Sequence, residues 1–363
     1  MPTDADRCSD LQAAVTGAFE SRTPLAISGG GTKAFYGRRL DVPDACVLDV
    51  SSHCGIVTYE PTELVLTARA GTSLEGIEDA LAERGQYLPF EPPHFSGGTA
   101  TIGGAIAAGL GGPRRPYAGA PRDLVLGVRM LNGRGDDLRF GGEVMKNVAG
   151  YDISRLVTGS LGTLGVLLEV SLKVLPAPPK ETTLAFECDQ TDALNRILRW
   201  AREPLPISAT FHTNGVLNVR LSGSEAGVAA AAEGMGGERA GPDFTWSAIR
   251  DHTHPFFRAG KHADDVALWR VALPDGADVL ELEGPTALEW NGTQRWIASA
   301  APEEVIRAVA AKHGGHATRF RGRDRAAEVF HPLTSGLMRI HLRMKEAFDP
   351  ARILNPGRMY AGL

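Results

Sequence analysis

Cysteine is scarce in this chain of 363 residues: Cys8, Cys46, Cys54 and Cys188 are the only four, and no two form a C-x-x-C pair. A cysteine-ligated iron–sulfur cluster needs thiolates at close, regular spacing, so any such cluster serving this protein belongs to another chain. The thiols are expected to be reduced, as in a cytosolic protein. An excess of basic residues is also lacking. Lys and Arg total 38 against 43 Asp and Glu, for a net charge of −5. That balance argues against a nucleic-acid binder, which would carry a basic face. Long apolar runs are missing as well. The smoothest, Ile102 to Leu110, is too short and too rich in glycine to span a bilayer, which takes about 20 residues. The N-terminus carries no signal-type apolar region, so the expected location is the cytoplasm. There is no internal repeat and no low-complexity tract.

What the chain has in quantity is glycine, 43 residues, and its placement carries more information than its amount. The length suggests two domains, or three. Leu11, Val15 and Phe19, four apart, predict a helix over residues 6–20, followed by a short strand at Leu25–Ile27. Further strands are expected at Ala45–Val50 and Leu64–Ala68. Thr72-Ser-Leu-Glu75 reads as a capping box opening a helix with Leu74, Ile77 and Leu81, closed by Gly85. Val125–Leu131 and Val166–Leu175 are strands. In the latter, Leu168, Val170, Leu172 and Val174 alternate with Glu169, Ser171 and Lys173, so its two faces differ. Pro176-Ala-Pro-Pro179 then marks a domain boundary.

Beyond the boundary the order is strand 182–188, helix 192–203, strands 207–212 and 216–222, helix 224–234 and strand 267–273. This β-α-β-β-α-β order is a ferredoxin-like plan. A last helix is expected at about 333–348. The domains expected are thus 1–177, 178–330 and a C-terminal return segment, 331–363.

Two glycine segments stand out. Ser28-Gly-Gly-Gly-Thr-Lys33 directly follows a strand, and such a run lets successive N–H groups form a nest for phosphate. Gly29, Gly31 and Ala34, with Asp49 downstream, also match a Rossmann fingerprint by spacing. The context opposes that reading, because Phe35–Asp44 contains Gly37 and Pro43 and leaves no room for the required helix. Lys33 likewise lacks the G-K-[ST] setting of a Walker A loop. The second segment is Ser96-Gly-Gly-Thr-Ala-Thr-Ile-Gly-Gly104 and the small residues after it. Thr101 can cap a short helix there, and the helix N-terminus can offer N–H groups to an anion. Its small side chains allow a flat ring to approach. One large ligand touching both segments explains them together; close packing without a ligand is the alternative. Further on lie Gly119–Gly127, Lys146–Asp152, and Gly159-Ser-Leu-Gly162-Thr-Leu-Gly165, whose three glycines lead into the strand at Val166.

These motifs, in this order, resemble the FAD-binding domain of the vanillyl-alcohol oxidase and p-cresol methylhydroxylase superfamily. Pro24 with Ser28–Gly31 resembles its pyrophosphate loop. Thr101-Ile-Gly-Gly104 resembles its second flavin-contacting motif, and Gly159–Val166 its adenine-side segment. Phe348-Asp-Pro-Ala-Arg-Ile-Leu-Asn-Pro-Gly357 resembles its closing signature. The resemblance covers about residues 20–180 and 345–360. The fold it implies is α+β: a two-part PCMH-type FAD-binding domain, a ferredoxin-like α/β cap, and a C-terminal segment returning to the FAD domain. It implies FAD contacts at Ser28, Gly29, Gly30, Gly31, Thr32, Lys33, Gly97, Gly98, Thr101, Ile102, Gly103, Gly104, Gly162, Gly165 and Val166.

Within the superfamily the chain is similar to the FAD-binding subunits of bacterial glycolate oxidases. Its length and Trp290-Asn-Gly-Thr-Gln-Arg-Trp296 carry that similarity. The implied reaction is oxidation of glycolate to glyoxylate, with electrons passed onward and not to NAD. The implied partners are a larger catalytic FAD subunit and an iron–sulfur subunit, through which the chain would reach the inner-membrane surface. A stand-alone D-2-hydroxy-acid dehydrogenase and a structural subunit with an idle flavin domain are the alternatives.

Some members tether the flavin through a His in or near the first loop. Thr32, Lys33 and Ala34 stand here instead, so FAD is expected to be non-covalent, with His94 the remaining candidate for contact or attachment. The acidic, glycine-rich motif with a metal-binding His pair found in related dehydrogenases is absent from the sequence, and no metal is expected. His252/His254 and His313/His316 have chelating spacings, but neither pair has a carboxylate at helical spacing. Arg319, Arg321, Arg323 and Arg325 read as a solvated face or partner contact. Asn291-Gly-Thr293 is a glycosylation pattern without an export signal. Arg114, Arg115 and Arg122 are the candidates for a substrate carboxylate, and no catalytic residue is assigned.

Overall fold

The structure is a computed structural model describing residues 4–40, 42, 45–95, 98–142, 151–259, 266–322 and 325–363. The chain forms two compact units. Unit 1 is Met1–Gly111, Gly119–Ala177 and Arg325–Leu363; unit 2 is Gly112–Ala118 and Pro178–Asp324. The chain therefore enters unit 2 briefly at residues 112–118, before the proline cluster. No helix among the described residues is long and apolar enough to cross a membrane.

Through residue 177 the elements are α1 (Cys8–Ser21), β1 (Leu25–Ser28), β2 (Cys46–Asp49), β3 (Ile56–Glu60), β4 (Val65–Arg69), α2 (Leu74–Ala82), β5 (Gln86–Tyr87), α3 (Ile102–Ala108), α4 (Arg115–Ala118), α5 (Pro121–Leu124), β6 (Val125–Leu131), β7 (Asp137–Gly141), α6 (Ile153–Val157), β8 (Val166–Lys173) and β9 (Leu175–Pro176). Unit 1 holds a five-stranded antiparallel sheet in the order β3-β4-β8-β6-β7, and a separate parallel pair, β1 with β2.

Central strand β8 shows how the sequence builds the sheet. Leu168, Val170 and Leu172 are fully buried and join the core formed with Val15 of α1, Ile77 of α2 and Ile106 of α3. The opposite face is polar but satisfied. Ser171 meets Thr67 at 2.8 Å, and Arg129 donates to Glu169 at 2.7 Å. Strands β3 and β7 are absent from the sequence reading, although Leu138 and Phe140 of β7 alternate with polar residues and pack on the core. Both are edge strands with largely exposed residues, so neither needs apolar alternation. The cap of α2 is also displaced by one residue from the sequence reading. Ser73 accepts from Gly76 N at 3.1 Å, while Thr72 Oγ1 is held by Gly55 and Arg69.

Unit 2 continues with β10 (Lys180–Glu187), α7 (Gln190–Trp200), β11 (Ile207–Thr213), β12 (Val216–Gly223), α8 (Glu225–Met235), β13 (Glu238–Arg239), α9 (Trp246–Arg250), α10 (Pro255–Ala259), β14 (Ala267–Ala272), β15 (Thr286–Glu289), β16 (Gln294–Ser299), α11 (Glu303–Lys312) and β17 (His316–Arg321). Its eight-stranded sheet runs β13-β10-β12-β11-β15-β16-β14-β17. The first four strands have ferredoxin-like order, but the fourth is the two-residue β13, not residues 267–273. Those residues form β14, which pairs with β16 and β17 farther along the sheet. A two-residue strand has no periodicity to read.

The Trp290–Trp296 segment is a cross-linked turn. Trp290 Nε1 donates to Gly112 O at 3.1 Å, and Gln294 Nε2 and Trp296 Nε1 both donate to buried Glu289 at 2.7 Å. It thereby ties the short 112–118 excursion to unit 2.

The last helix, α12 (Ser335–Phe348), belongs to unit 1. From it, buried Lys345 donates to Thr163 O at 2.8 Å, Leu354 O at 2.7 Å and Asp349 at 2.7 Å. Asp349 in turn accepts from Ile353 N and Leu354 N. Burial pulls the Lys345 pKa below its usual range, with Asp349 opposing. Every charge of this buried pair is thus met by hydrogen bonds, as such pairs require.

Candidate functional site

Strand β1 ends at Ser28, and the glycine loop that follows meets the second glycine segment, about 70 residues later in the chain. A Cβ on Gly29 would come within 2.6 Å of Thr101 Oγ1, and one on Gly30 would overlap the carbonyl oxygen of Thr99. Thr99 Oγ1 also donates to Gly30 O at 3.3 Å. Only glycine allows this approach of backbone to backbone. The approach leaves a cleft of about 300 Å³ lined by Ser28, Gly29, Gly30, Gly31, Thr32, Lys33, Thr101 and Gly104, with Ala107, Leu161, Asn355 and Arg358. An adjoining hollow of about 80 Å³ shares Gly29, Thr101 and Gly104 and adds Gly103, Gly162 and Gly165.

Eleven of the fifteen residues expected from the sequence therefore line one continuous space. Ile102 and Val166 do not, since both side chains are fully buried in the core of unit 1. Gly98 lies beside Glu75 instead. Gly97 and residues 146–150 of the Lys146–Asp152 motif are outside the described residues.

The two glycine segments do different work. The N–H groups of Gly29, Gly30, Gly31 and Thr32 have no acceptor among the described residues. They supply the donor chemistry that a diphosphate accepts. The expectation that α3 offers its N-terminal amides to an anion is overturned. Ile102 N is bonded to Thr72 O at 2.9 Å, Gly103 N to Ala70 O at 2.8 Å and Gly104 N to Thr101 Oγ1 at 3.2 Å. With its donors already engaged, α3 serves the cleft as a wall of small residues. The Gly159–Gly165 segment packs on that wall, through Gly159 N to Ile106 O at 2.9 Å and Leu161 N to Ala107 O at 2.8 Å.

Asn355 and Arg358 are the site residues that local sequence reading missed. Asn355 accepts from Ile27 N at 2.8 Å and donates to Leu161 O at 2.7 Å, so one side chain joins three distant segments. Its φ of 40° is left-handed, which Asn tolerates better than most residues. The closing signature is a motif in the sequence, but nothing in its own spacing points to the first loop.

Other candidates lie away from the cleft. His94 Nε2 sits 3.2 Å from Glu78. Arg114 pairs with Glu181, Arg115 stacks over Trp290 at 4.3 Å, and Arg122 is exposed. His252 stacks on Phe257 at 3.9 Å, and His313 Nδ1 lies 2.9 Å from Val309 O. No group of three metal-binding side chains occurs among the described residues. Arg319 pairs with Glu303, and Arg325 donates to Gly37 O; Arg323 is outside the described residues.

A cleft with open loop amides, a wall of glycine and alanine, and the cations Lys33 and Arg358 fits a flat dinucleotide with a central diphosphate. Residues 5–141 match the FAD binding domain family. The overall fold matches 4-ethylphenol oxidase from Gulosibacter chungangensis (TM-score 0.70, 14% identity, covering 98% of this chain and 88% of that one). It also matches alkyldihydroxyacetonephosphate synthase (TM-score 0.67, 16% identity, 96% and 75%). The protein is an FAD-binding oxidoreductase with the PCMH-type fold.

Within that class, the chain is 47% identical over 363 residues, the whole of both chains, to glycolate oxidase subunit GlcE of Escherichia coli (strain K12). It belongs to the family of that subunit. Glycolate oxidase subunit GlcD of Bacillus subtilis (strain 168) is 32% identical over 192 residues, 53% of this chain and 40% of the relative. D-lactate dehydrogenase of Archaeoglobus fulgidus is 31% identical over 203 residues, 56% of this chain and 45% of the relative.

Proposed function

We propose that this protein is the FAD-binding subunit of a glycolate-oxidising complex, taking part in oxidation of glycolate to glyoxylate and passing electrons to an iron–sulfur partner. The observation that carries this reading is the extent of similarity. The 47% identity to GlcE spans the whole chain, whereas GlcD and the D-lactate dehydrogenase share only about half of it. What distinguishes this chain from those relatives is thus common to it and GlcE. In this reading unit 2 is the cap facing partner or substrate, and the C-terminal segment completes the FAD domain.

Residues 29–32 would hold the diphosphate by their amides, and Gly103, Gly104 and Ala107 would flank a ring. When bound, FAD supplies the two-electron redox chemistry, and the protein supplies position and field. Thr32, Lys33 and Ala34 stand in the first loop where a tethering His would stand, so the attachment is taken to be non-covalent.

Absorbance of the purified chain, before and after anaerobic glycolate and again after acid precipitation, tests the proposal. Flavin bands that leave with the acid supernatant, and that glycolate bleaches only once the partner subunits are added, are expected. Bleaching of the isolated chain would instead make it a stand-alone dehydrogenase. Failure to take up added FAD would leave a scaffold subunit.

A further inference from the structure

Arg358 combines three properties that together point to a bound anion. It lines the cleft beside the glycine loop. It is tied down, since Nη1 donates to Arg38 O and Nη2 to Ala34 O, each at 2.8 Å. It also has no carboxylate partner among the described residues.

Its surroundings add positive charge. Arg325, which donates to Gly37 O at 3.0 Å and Arg38 O at 3.3 Å, acts on it as a like charge. Glu328 is paired with Arg38. Burial, with Arg325 adding to it, draws the Arg358 pKa down to about 10, still far above neutrality, so the guanidinium stays charged. A half-buried cation with no counter-ion among the described residues is costly, and such groups are normally paired. A guanidinium has five N–H donors, and the two loop carbonyls leave three for another acceptor.

We infer that Arg358 is the counter-charge of the FAD diphosphate, held at the cleft by the carbonyls of Ala34 and Arg38. The inference rests on FAD binding in this cleft. The turn at Asn355 supports it, because Arg358 N donates to Asn355 O at 3.2 Å while the Asn355 side chain grips β1 and Leu161. The closing segment thereby delivers a cation to a loop more than 300 residues upstream.

The test compares ligands with and without the diphosphate. Affinities of the flavin-stripped full chain for FAD, ADP and riboflavin are measured by calorimetry for wild type, R358M and R358K. Loss of charge-assisted hydrogen bonds predicts that R358M binds FAD and ADP about 10–100-fold more weakly, with riboflavin affinity unchanged. R358K, which keeps the charge but not the fork, is expected to lose about 3–10-fold for FAD and ADP and nothing for riboflavin. Equal losses for all three ligands would mean that Arg358 only braces the loop, and would overturn the inference. No loss for any ligand would overturn it as well. If R358M fails to fold, R358K decides by the same criteria. A wild-type chain that binds neither FAD nor ADP would refute the FAD reading itself.

Discussion

The glycine loop and the α3 wall of the unit 1 cleft are built largely of glycine, alanine, serine and threonine, and the loop's chemistry comes chiefly from backbone amides. In unit 2, the face of the sheet around Phe211 is filled with rings. Phe211 meets Phe257 at 6.1 Å and His254 at 5.3 Å, His252 stacks on Phe257, and Trp296 meets Phe320 at 4.9 Å. One region works because side chains are absent and the main chain can come close. The other works because large side chains fill space and bury apolar area. The two should therefore fail in opposite ways, the first when an atom is added and the second when atoms are removed.

The largest effect is expected at Gly30. In Gly30→Val the new side chain overlaps Thr99 O, so the two glycine segments must part. Flavin content after desalting should fall to background, a loss of affinity beyond about 100-fold; retention of stoichiometric flavin would refute the assigned closeness. Next comes Phe211→Ala, which should destabilise the chain by about 3–5 kcal/mol through a cavity in unit 2. Urea denaturation measures this, and folded protein should still carry flavin. Loss of flavin from the folded variant would break the division of labour between the regions.

Asn355→Ala should cost about 1–3 kcal/mol, because Ile27 N and Leu161 O lose their partner. Unlike Phe211→Ala, it should also speed flavin release, measured by stopped-flow fluorescence.

The smallest effect per residue is a pH dependence. Burial lowers the pKa of His212 and His254 in unit 2 and of His53 in unit 1 below the usual 6.5. As pH falls below about 6.5 the unfolded chain takes up protons that the folded chain refuses. Stability should be full above that pH and decline below it, by at most about 1.4 kcal/mol per pH unit for each histidine. Urea midpoints at pH 7.5 and 5.5 test the sign, and His212→Gln should flatten the slope.

Legibility followed the same contrast. The Thr101 cap, the strand Val125–Leu131 and the two faces of β8 follow from short-range pattern, and the structure contains each. The glycine loops were visible because a Gly run after a strand has few other uses. Edge strand β3 was not visible, since an exposed edge needs no apolar period, and β7 was missed because its alternation, Leu138 and Phe140, is only five residues long. Strand β13 is too short to have one.

By itself the sequence determined where the backbone must turn or approach something closely, because caps, φ-permissive glycines and strand parity are set by near neighbours. It also determined the FAD-binding class, through four motifs kept in order. Only the tertiary structure decided which donors remain open. The α3 amides are consumed by the carbonyls of Ala70 and Thr72, while those of Gly29–Thr32 have no acceptor among the described residues. Only the fold, too, brought Asn355 and Arg358 to the cleft. Hydrogen-bond satisfaction is an account over the whole molecule, and no local stretch of chain contains the partners that close it.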